Sequence, residues 1–275
     1  MLSIHEPRCT LAAVFVTFLS DYGRSDDFVG VCHGVIAQIA PAARVIDLTH
    51  DVRRHDVRGA AVVLRRALPF CPPGVHLVVV DPGVGGTRRA VALRVAQEDR
   101  VLVGPDNGVL WPAAERFGGV VEAVDVAHSP HRLEPVSATF HGRDLFAPVA
   151  AHLAAGEPLG AAGEPVDPDD LVALRLPTPY VEAERVFAHV VSADTFGNVA
   201  LDVTHEEGTN AGLRLGASVR VNGTPATYAR TFEEVGPGEL MLYEDAYRTL
   251  ALAVNRGSAL EFLDLGLDDE VVIEP

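Results

Sequence analysis

The chain has 275 residues, 48% hydrophobic, with a formal net charge of -16 and no lysine, so every basic side chain other than histidine is arginine. That length supports a real core and two domains, the charge argues against nucleic acid and anionic membranes as partners, and no apolar run reaches the roughly 20 residues of a membrane span. The missing lysine excludes a phosphate-loop lysine, a pyridoxal Schiff base and a catalytic ammonium.

The elements follow from periodicity. Val14–Ser20 reads as a strand that ends at Asp21-Tyr22-Gly23. Asp27–Ile39 carries apolar residues at helical spacing and stops before Pro41. Arg44–Leu48 is a second strand, and Val57–Leu68 a second helix closed by Pro69 and a Cys71-Pro72-Pro73-Gly74 turn. Strands are expected at Val75–Val80, Arg89–Val95 and Val101–Gly104, with helices near Pro112–Phe117 and over Phe146–Ala155. Strands alternating with helices argue for an α/β fold, a mostly parallel sheet with helices on both faces.

Beyond Pro165 the pattern changes. Leu176-Pro177-Thr178-Pro179-Tyr180 reads as an extended linker, which puts the division at 1–176 and 177–275. Short alternating runs follow at Val186–Val191, Val199–Val203, Ala217–Val221, Glu239–Tyr243, Ala251–Val254 and Glu270–Ile273. Turn signals such as Asn222-Gly223 separate them, so the second part is expected to be a small β-barrel or sandwich.

The chemistry-bearing segments sit at predicted strand ends. Asp81-Pro82-Gly83-Val84-Gly85-Gly86 follows the apolar Val78-Val79-Val80. It does not make a dinucleotide fingerprint, because a strand rather than a helix comes next, and it reads as a tight glycine hairpin. Asp81 and Arg88 share this predicted sheet edge with His141, in Phe140-His141-Gly142-Arg143-Asp144. Carboxylate, guanidinium and imidazole together suffice to position and deprotonate a water. Arg143-Asp144 reads as a structural ion pair or helix start, and Pro105-Asp106-Asn107-Gly108 as a turn. Asp21 suits either a ribose's hydroxyls or a helix cap. In the second part, Asn198 suits either an adenine edge or an Asx turn. His50, Asp51, His55 and Asp56, with Asp47 upstream, are metal-ligand residue types, but their spacing matches no zinc signature. Cys9, Cys32 and Cys71 are widely spaced and odd in number, so free thiols are expected, and the N-terminus lacks the form of a signal peptide.

Taken in order, these segments make the chain resemble the S-adenosyl-L-methionine hydroxide adenosyltransferase family, relatives of fluorinating and chlorinating enzymes. The resemblance rests on Ser20-Asp21-Tyr22-Gly23, Asp47-Leu48-Thr49-His50, Arg54-His55, Val80-Asp81-Pro82-Gly83-Val84-Gly85, Pro105-Asp106-Asn107-Gly108, Thr139-Phe140-His141-Gly142-Arg143-Asp144, Phe196-Gly197-Asn198 and Ala253-Val254-Asn255-Arg256-Gly257-Ser258. It runs from Phe15 to near the C-terminus. It implies hydrolysis of S-adenosyl-L-methionine to adenosine and methionine by a cytoplasmic enzyme. No metal or other cofactor is implied. A homotrimer is, with sites between one subunit's first domain and its neighbour's second.

The resemblance places the catalytic triad on Asp81, Arg88 and His141, with Arg89 the neighbouring candidate for the arginine. Asp21 falls at the ribose-binding aspartate, Asp194 at the residue that meets the methionine ammonium, Asn198 at the adenine reader, and Val254 where main chain meets adenine. Phe140, Gly142 and Phe196 are the further substrate-binding positions. Ala246 stands where relatives often have serine. Halogenating relatives place tyrosine, threonine and serine at positions 81, 84 and 142, where this chain has Asp81, Val84 and Gly142.

Overall fold

Four strands, β1 (Phe15–Ser20), β2 (Arg44–Thr49), β3 (Val75–Val79) and β5 (Val101–Pro105), form the parallel half of a seven-stranded sheet in a computed structural model that describes residues 14–275. β4 (Ala90–Val95), β6 (Val120–Asp125) and β7 (Glu164–Val166) add an antiparallel half, giving the order β2-β1-β3-β5-β4-β6-β7. The period of two sorts the side chains. Val75, Leu77 and Val79 of β3 join one core cluster, while Val78 and Val80 join another on the opposite face. Helices α1 (Phe28–Ile39) and α4 (Ala147–Ala154) cover the first cluster; α2 (Val57–Ala67) and α3 (Trp111–Arg116) cover the second. Burial on both faces explains why the central strands β3 and β5 read as nearly unbroken apolar runs, whereas the edge strand β2, with Arg44 and Asp47, stays partly exposed.

The sheet order corrects one expectation. The glycine segment after β3 does not close a hairpin, because β5 lies between β3 and β4. The segment instead crosses the carboxyl end of β5. Gly85 does take a positive φ of 74°, and a Cβ there would run into the Ala138 carbonyl. β6 and β7 escape a periodicity reading because both are short and mostly solvent-facing, with only Ala123 and Val124 buried. The predicted Phe146–Ala155 helix begins earlier, with a π-helical turn over Gly142–Phe146 directly after His141. Such turns concentrate at functional sites.

Contacts divide the chain between Arg175 and Leu176 into two compact units. In the second, seven strands close a barrel: β9 (Arg185–Ala193), β10 (Val199–Thr204), β11 (Ser218–Val221), β12 (Thr224–Tyr228), β13 (Leu240–Glu244), β14 (Thr249–Val254) and β15 (Glu270–Glu274). The β10–β9 pairing closes the ring, and β8 (Tyr180–Glu182) lies outside on β9. Alternate residues such as Val186, Ala188, Val190, Val219 and Val221 fill the interior. β12 contains Pro225, which hides it from a strand reading. Asn222 and Gly223, both at positive φ, form its two-residue hairpin turn with β11. Among the described residues no helix is long and apolar enough to cross a membrane. Cys32 and Cys71 are free, and burial pushes the Cys32 thiol up to about 12; Cys9 lies outside the described residues.

Candidate active site

The carboxyl ends of β1 and β3 are neighbours, with Ser20 paired to Val79 in register. The chain leaving each strand therefore delivers Asp21 and Asp81 to the same rim, where open α/β sheets collect their ligands. Asp81 is held by Arg88. Nε of Arg88 donates to Oδ1 at 2.9 Å and to Oδ2 at 3.0 Å, and Nη2 also donates to Oδ2. The same Nη2 reaches Nδ1 of His141 at 2.9 Å. The guanidinium lies 5.4 Å from the centroid of the Phe146 ring, which fixes its plane. Asp81, Arg88 and His141 thus form one connected unit.

Arg89 points elsewhere. Its Nε donates to Asp106 Oδ2 at 2.9 Å, and its Nη2 donates to the Asp170 carbonyl. The two arginines diverge because adjacent residues in extended backbone face opposite sides.

Asp81 and His141 line a cleft of about 280 Å3 together with Asp21, Tyr22, Phe28, His55, Val84 and Gly142, among others. Asp21 does not cap α1. The N-cap there is Asp27, and Asp21 Oδ2 instead accepts from the His55 backbone N–H at 2.9 Å. Phe140 packs edge-on against Tyr22 and Phe28, with centroids at 5.7 and 5.0 Å, and so builds an aromatic wall. Gly142 has a steric reason: a Cβ at this position would strike the Tyr22 hydroxyl. Burial first, then the Arg88 charge, lowers the His141 pKa below its usual 6.5, against smaller opposing effects of Asp81 and Asp144. Burial, with the acidic groups Cys32, Asp21 and Asp81 nearby, pushes the Tyr22 phenol well above its usual value.

A second cavity, of about 730 Å3, belongs to the barrel unit and gathers Asp194, Phe196, Asn198 and Val254 with Phe232, Arg256, Gly257 and Ser258. Asp194 organises this rim. Its Oδ1 accepts from the backbone N–H groups of Phe196 and Asn198, both at 2.9 Å, and its Oδ2 accepts from Asn198 Nδ2 at 2.8 Å. Phe196 is 78% exposed, an unusual position for a large apolar ring.

The model of the SAM hydroxide adenosyltransferase N-terminal domain matches residues 16–163, and that of the C-terminal domain matches residues 188–272. The chain belongs to the SAM hydroxide adenosyltransferase family. A Salinispora tropica protein named (R)-S-adenosyl-L-methionine hydrolase is 47% identical over 257 residues, covering 94% of this chain and 96% of that one. An Actinoplanes protein named fluorinase is more distant, 28% identical over 273 residues, covering 87% of this chain and 90% of its own. A solved structure of an uncharacterized conserved protein from Thermotoga maritima superposes with a TM-score of 0.87 at 39% identity, covering 94% of this chain and 100% of that one.

Several side chains of this SAM hydroxide adenosyltransferase member serve the scaffold. Arg143 pairs with Asp144 through two hydrogen bonds of 2.7 and 3.0 Å, and Asp144 Oδ2 also accepts from the Ser137 N–H. Asn107 closes the turn after β5, donating to Val80 O and accepting from Val109 N–H. The metal-type residues disperse: Asp51 pairs with exposed Arg24, Asp56 caps α2 through Gly59 N–H, and His55 lies on the cleft. Asp47 and His50 do meet, with His33 of α1 as the third member. Sequence reading misses His33 because it reaches Asp47 across the sheet edge from another element. It also gives no role to Phe28, whose only signal is an aromatic at the start of an amphipathic helix.

Proposed function

We propose that the chain hydrolyses S-adenosyl-L-methionine to adenosine and L-methionine by in-line attack of water on the ribose C5′. The observation that carries this reading is the Asp81 carboxylate, fixed on the cleft wall by Arg88 and flanked by His141. Similarity to a protein named for that hydrolysis supports it.

The step needs little from the protein. As the water oxygen bonds to C5′, the C5′–sulfur bond breaks and its electron pair returns to sulfur, cancelling the sulfonium charge. Methionine leaves neutral at sulfur, so no acid and no metal is required for departure. The water must be aligned behind carbon and must lose a proton. Arg88 can only donate, so His141 Nδ1 accepts from it and the neutral ring carries its proton on Nε2. His141 is then a donor that orients the water oxygen, and Asp81 is the acceptor of its proton. Base assistance of this kind contributes ~10²–10⁴ in rate. Phe140 and Gly142 shape the wall beside this water, and Asp21 is assigned to the ribose hydroxyls. Phe196, Asn198 and Val254 are assigned to the adenine, and Asp194 to the methionine ammonium.

Halide as nucleophile is the second reading, favoured by the fluorinase similarity alone. A carboxylate lining the attack site repels a desolvated anion strongly at low dielectric, which favours water. We further assign the protein to the cytoplasm as a homotrimer in which each site draws on two neighbouring subunits. The exposed Phe196 ring supports an occupant or partner for the barrel cavity.

Adenosine release followed by chromatography tests the reaction, with ¹⁸O-labelled water as solvent. Because L fixes the amino-acid carbon, the (R) in the relative's name denotes the sulfonium, so both sulfonium epimers are supplied. Label in adenosine is expected, together with strongly reduced rates in the Asp81, Arg88 and His141 alanine variants. Unlabelled adenosine, halide-dependent products, or adenosine binding without turnover would remove the hydrolase reading. Light scattering that finds monomers would remove the trimer.

A further inference from the structure

We propose that His33, Asp47 and His50 form a binding site for one divalent transition-metal ion of the zinc class, distinct from the reaction centre. His33 comes from α1, Asp47 from β2, and His50 follows β2 directly. Asp47 Oδ1 lies 2.8 Å from His33 Nε2 and 3.0 Å from His50 Nε2, and one ligand atom from each residue falls within 4.8 Å of the others.

The second observation is the state of His50. Its side chain is 2% exposed, yet Nε2 has no aligned hydrogen-bond partner, although Asp47 Oδ1 is near. A buried ring nitrogen whose one polar neighbour is poorly aligned is under-satisfied. Its other nitrogen is already fixed, since Nδ1 lies 2.7 Å from Ser20 Oγ. Metal-bound histidines usually have this arrangement, one nitrogen on the ion and the other held by an oxygen. A ring edge-to-face against Phe18 at 4.7 Å fixes the plane as well.

Two imidazoles and one carboxylate suit zinc, cobalt or nickel, whereas calcium and magnesium prefer all-oxygen sets. Bonds of ~2.1 Å at tetrahedral angles separate donor atoms by ~3.4 Å, so the two Asp47–histidine separations need to open by about half an ångström. His33 and Asp47 are about one-third exposed, at 35% and 37%, which leaves an entry path and room for water to complete the shell. None of the three residues lines the cleft. The site connects to it through the backbone: Gly23 N–H donates to His50 O at 2.7 Å, and Tyr22 N–H donates to Ser20 Oγ at 3.4 Å. An ion there braces the turn that carries Asp21 and Tyr22.

The test is a titration of chelator-treated protein with Co2+ alone, read by its visible d–d absorption, and with Zn2+ alone, read by elemental analysis after equilibrium dialysis. One ion per chain is expected, with a Zn2+-dependent rise in Tm. His33→Ala and Asp47→Asn should each weaken binding by at least ~10-fold, the loss typical of disturbed metal shells. Both residues are partly exposed, and circular dichroism checks that each variant folds. His189→Ala removes a histidine paired at 2.8 Å with Asp202 in the barrel and should leave the titration unchanged. Stoichiometry well below one, absence of d–d bands, or equal affinity in wild type and both variants would overturn the proposal and leave a hydrogen-bonded His–Asp–His relay.

Discussion

Arg88 Nη2 lies 2.9 Å from His141 Nδ1, and this contact decides the protonation state of the histidine. Arginine offers no acceptor, so Nδ1 must present its lone pair. A second proton on His141 would point at a guanidinium. Burial and the Arg88 charge accordingly lower its pKa below 6.5. The neutral form is the active one, so kcat/KM should stay level above pH 6.5 and fall only below it, as His141 protonates. A profile that rises on acidification through 6.5 would refute neutral His141.

The adjacent arginines should separate cleanly. Arg88→Ala leaves Asp81 without its fork and should lower kcat by ~10²-fold or more, within the range of lost acid–base assistance. Arg88→Lys restores a charge but not the two-pronged geometry, and should recover only part of the rate. Arg89→Ala should act on stability instead. It strips a partner from Asp106, whose side chain is only 5% exposed, at a cost of about 1–3 kcal/mol. Its kcat should remain near wild type. Steady-state kinetics beside denaturant melts distinguish the two patterns.

Much of this site was readable before the fold. Asp81 stands out as a carboxylate at the end of an apolar strand, and the ordered motifs carry the family. The choice between Arg88 and Arg89 was not readable. It depends on which face each presents where the chain crosses β5, and strand order is not encoded in local periodicity. Asp21 shows the same limit. Its segment suits a helix cap equally well, and only the fold brings the His55 backbone, 34 residues away in sequence, to 2.9 Å. The barrel was legible as alternating strands, except β12, where Pro225 interrupts the pattern.

Gly142 and Tyr22 should be energetically coupled. A Cβ at 142 would meet the Tyr22 hydroxyl, so Gly142→Ala displaces the tyrosine and with it the cleft wall. We expect kcat/KM to fall ~10-fold or more. Removing the hydroxyl makes room, so Tyr22→Phe combined with Gly142→Ala should be less impaired than the single losses predict. Contacting residues typically show coupling of about 0.5–3 kcal/mol. Strict additivity in the double-mutant cycle would place the glycine requirement elsewhere.

Phe196 carries a prediction for binding. Its exposed ring lies on the barrel cavity beside Asn198. Stacking of an aromatic side chain on a base is worth about 1–3 kcal/mol. Phe196→Ala should therefore raise KM by ~5-fold or more with a smaller change in kcat. Because the ring buries little in the isolated unit, Tm should barely move. A large Tm loss with unchanged KM would assign the ring to subunit packing instead.

His76 governs acid stability away from the cleft. It is fully buried on β3. Arg100 Nη1 lies 3.2 Å from its Nε2, which must accept, and Nδ1 therefore donates to Thr17 Oγ1 at 2.8 Å. Burial, with the Arg100 charge, lowers its pKa from 6.5 to about 3. The unfolded chain then binds this proton at higher pH than the native chain does. The stabilisation is complete above 6.5 and is lost as pH falls toward about 3, at about 1.4 kcal/mol per pH unit while only the unfolded state is protonated. His76→Gln keeps a donor and an acceptor without the titration. It should start less stable at neutral pH and lose less on acidification. Denaturant midpoints measured across that window give both slopes, and parallel slopes would show that the acid sensitivity lies with other groups.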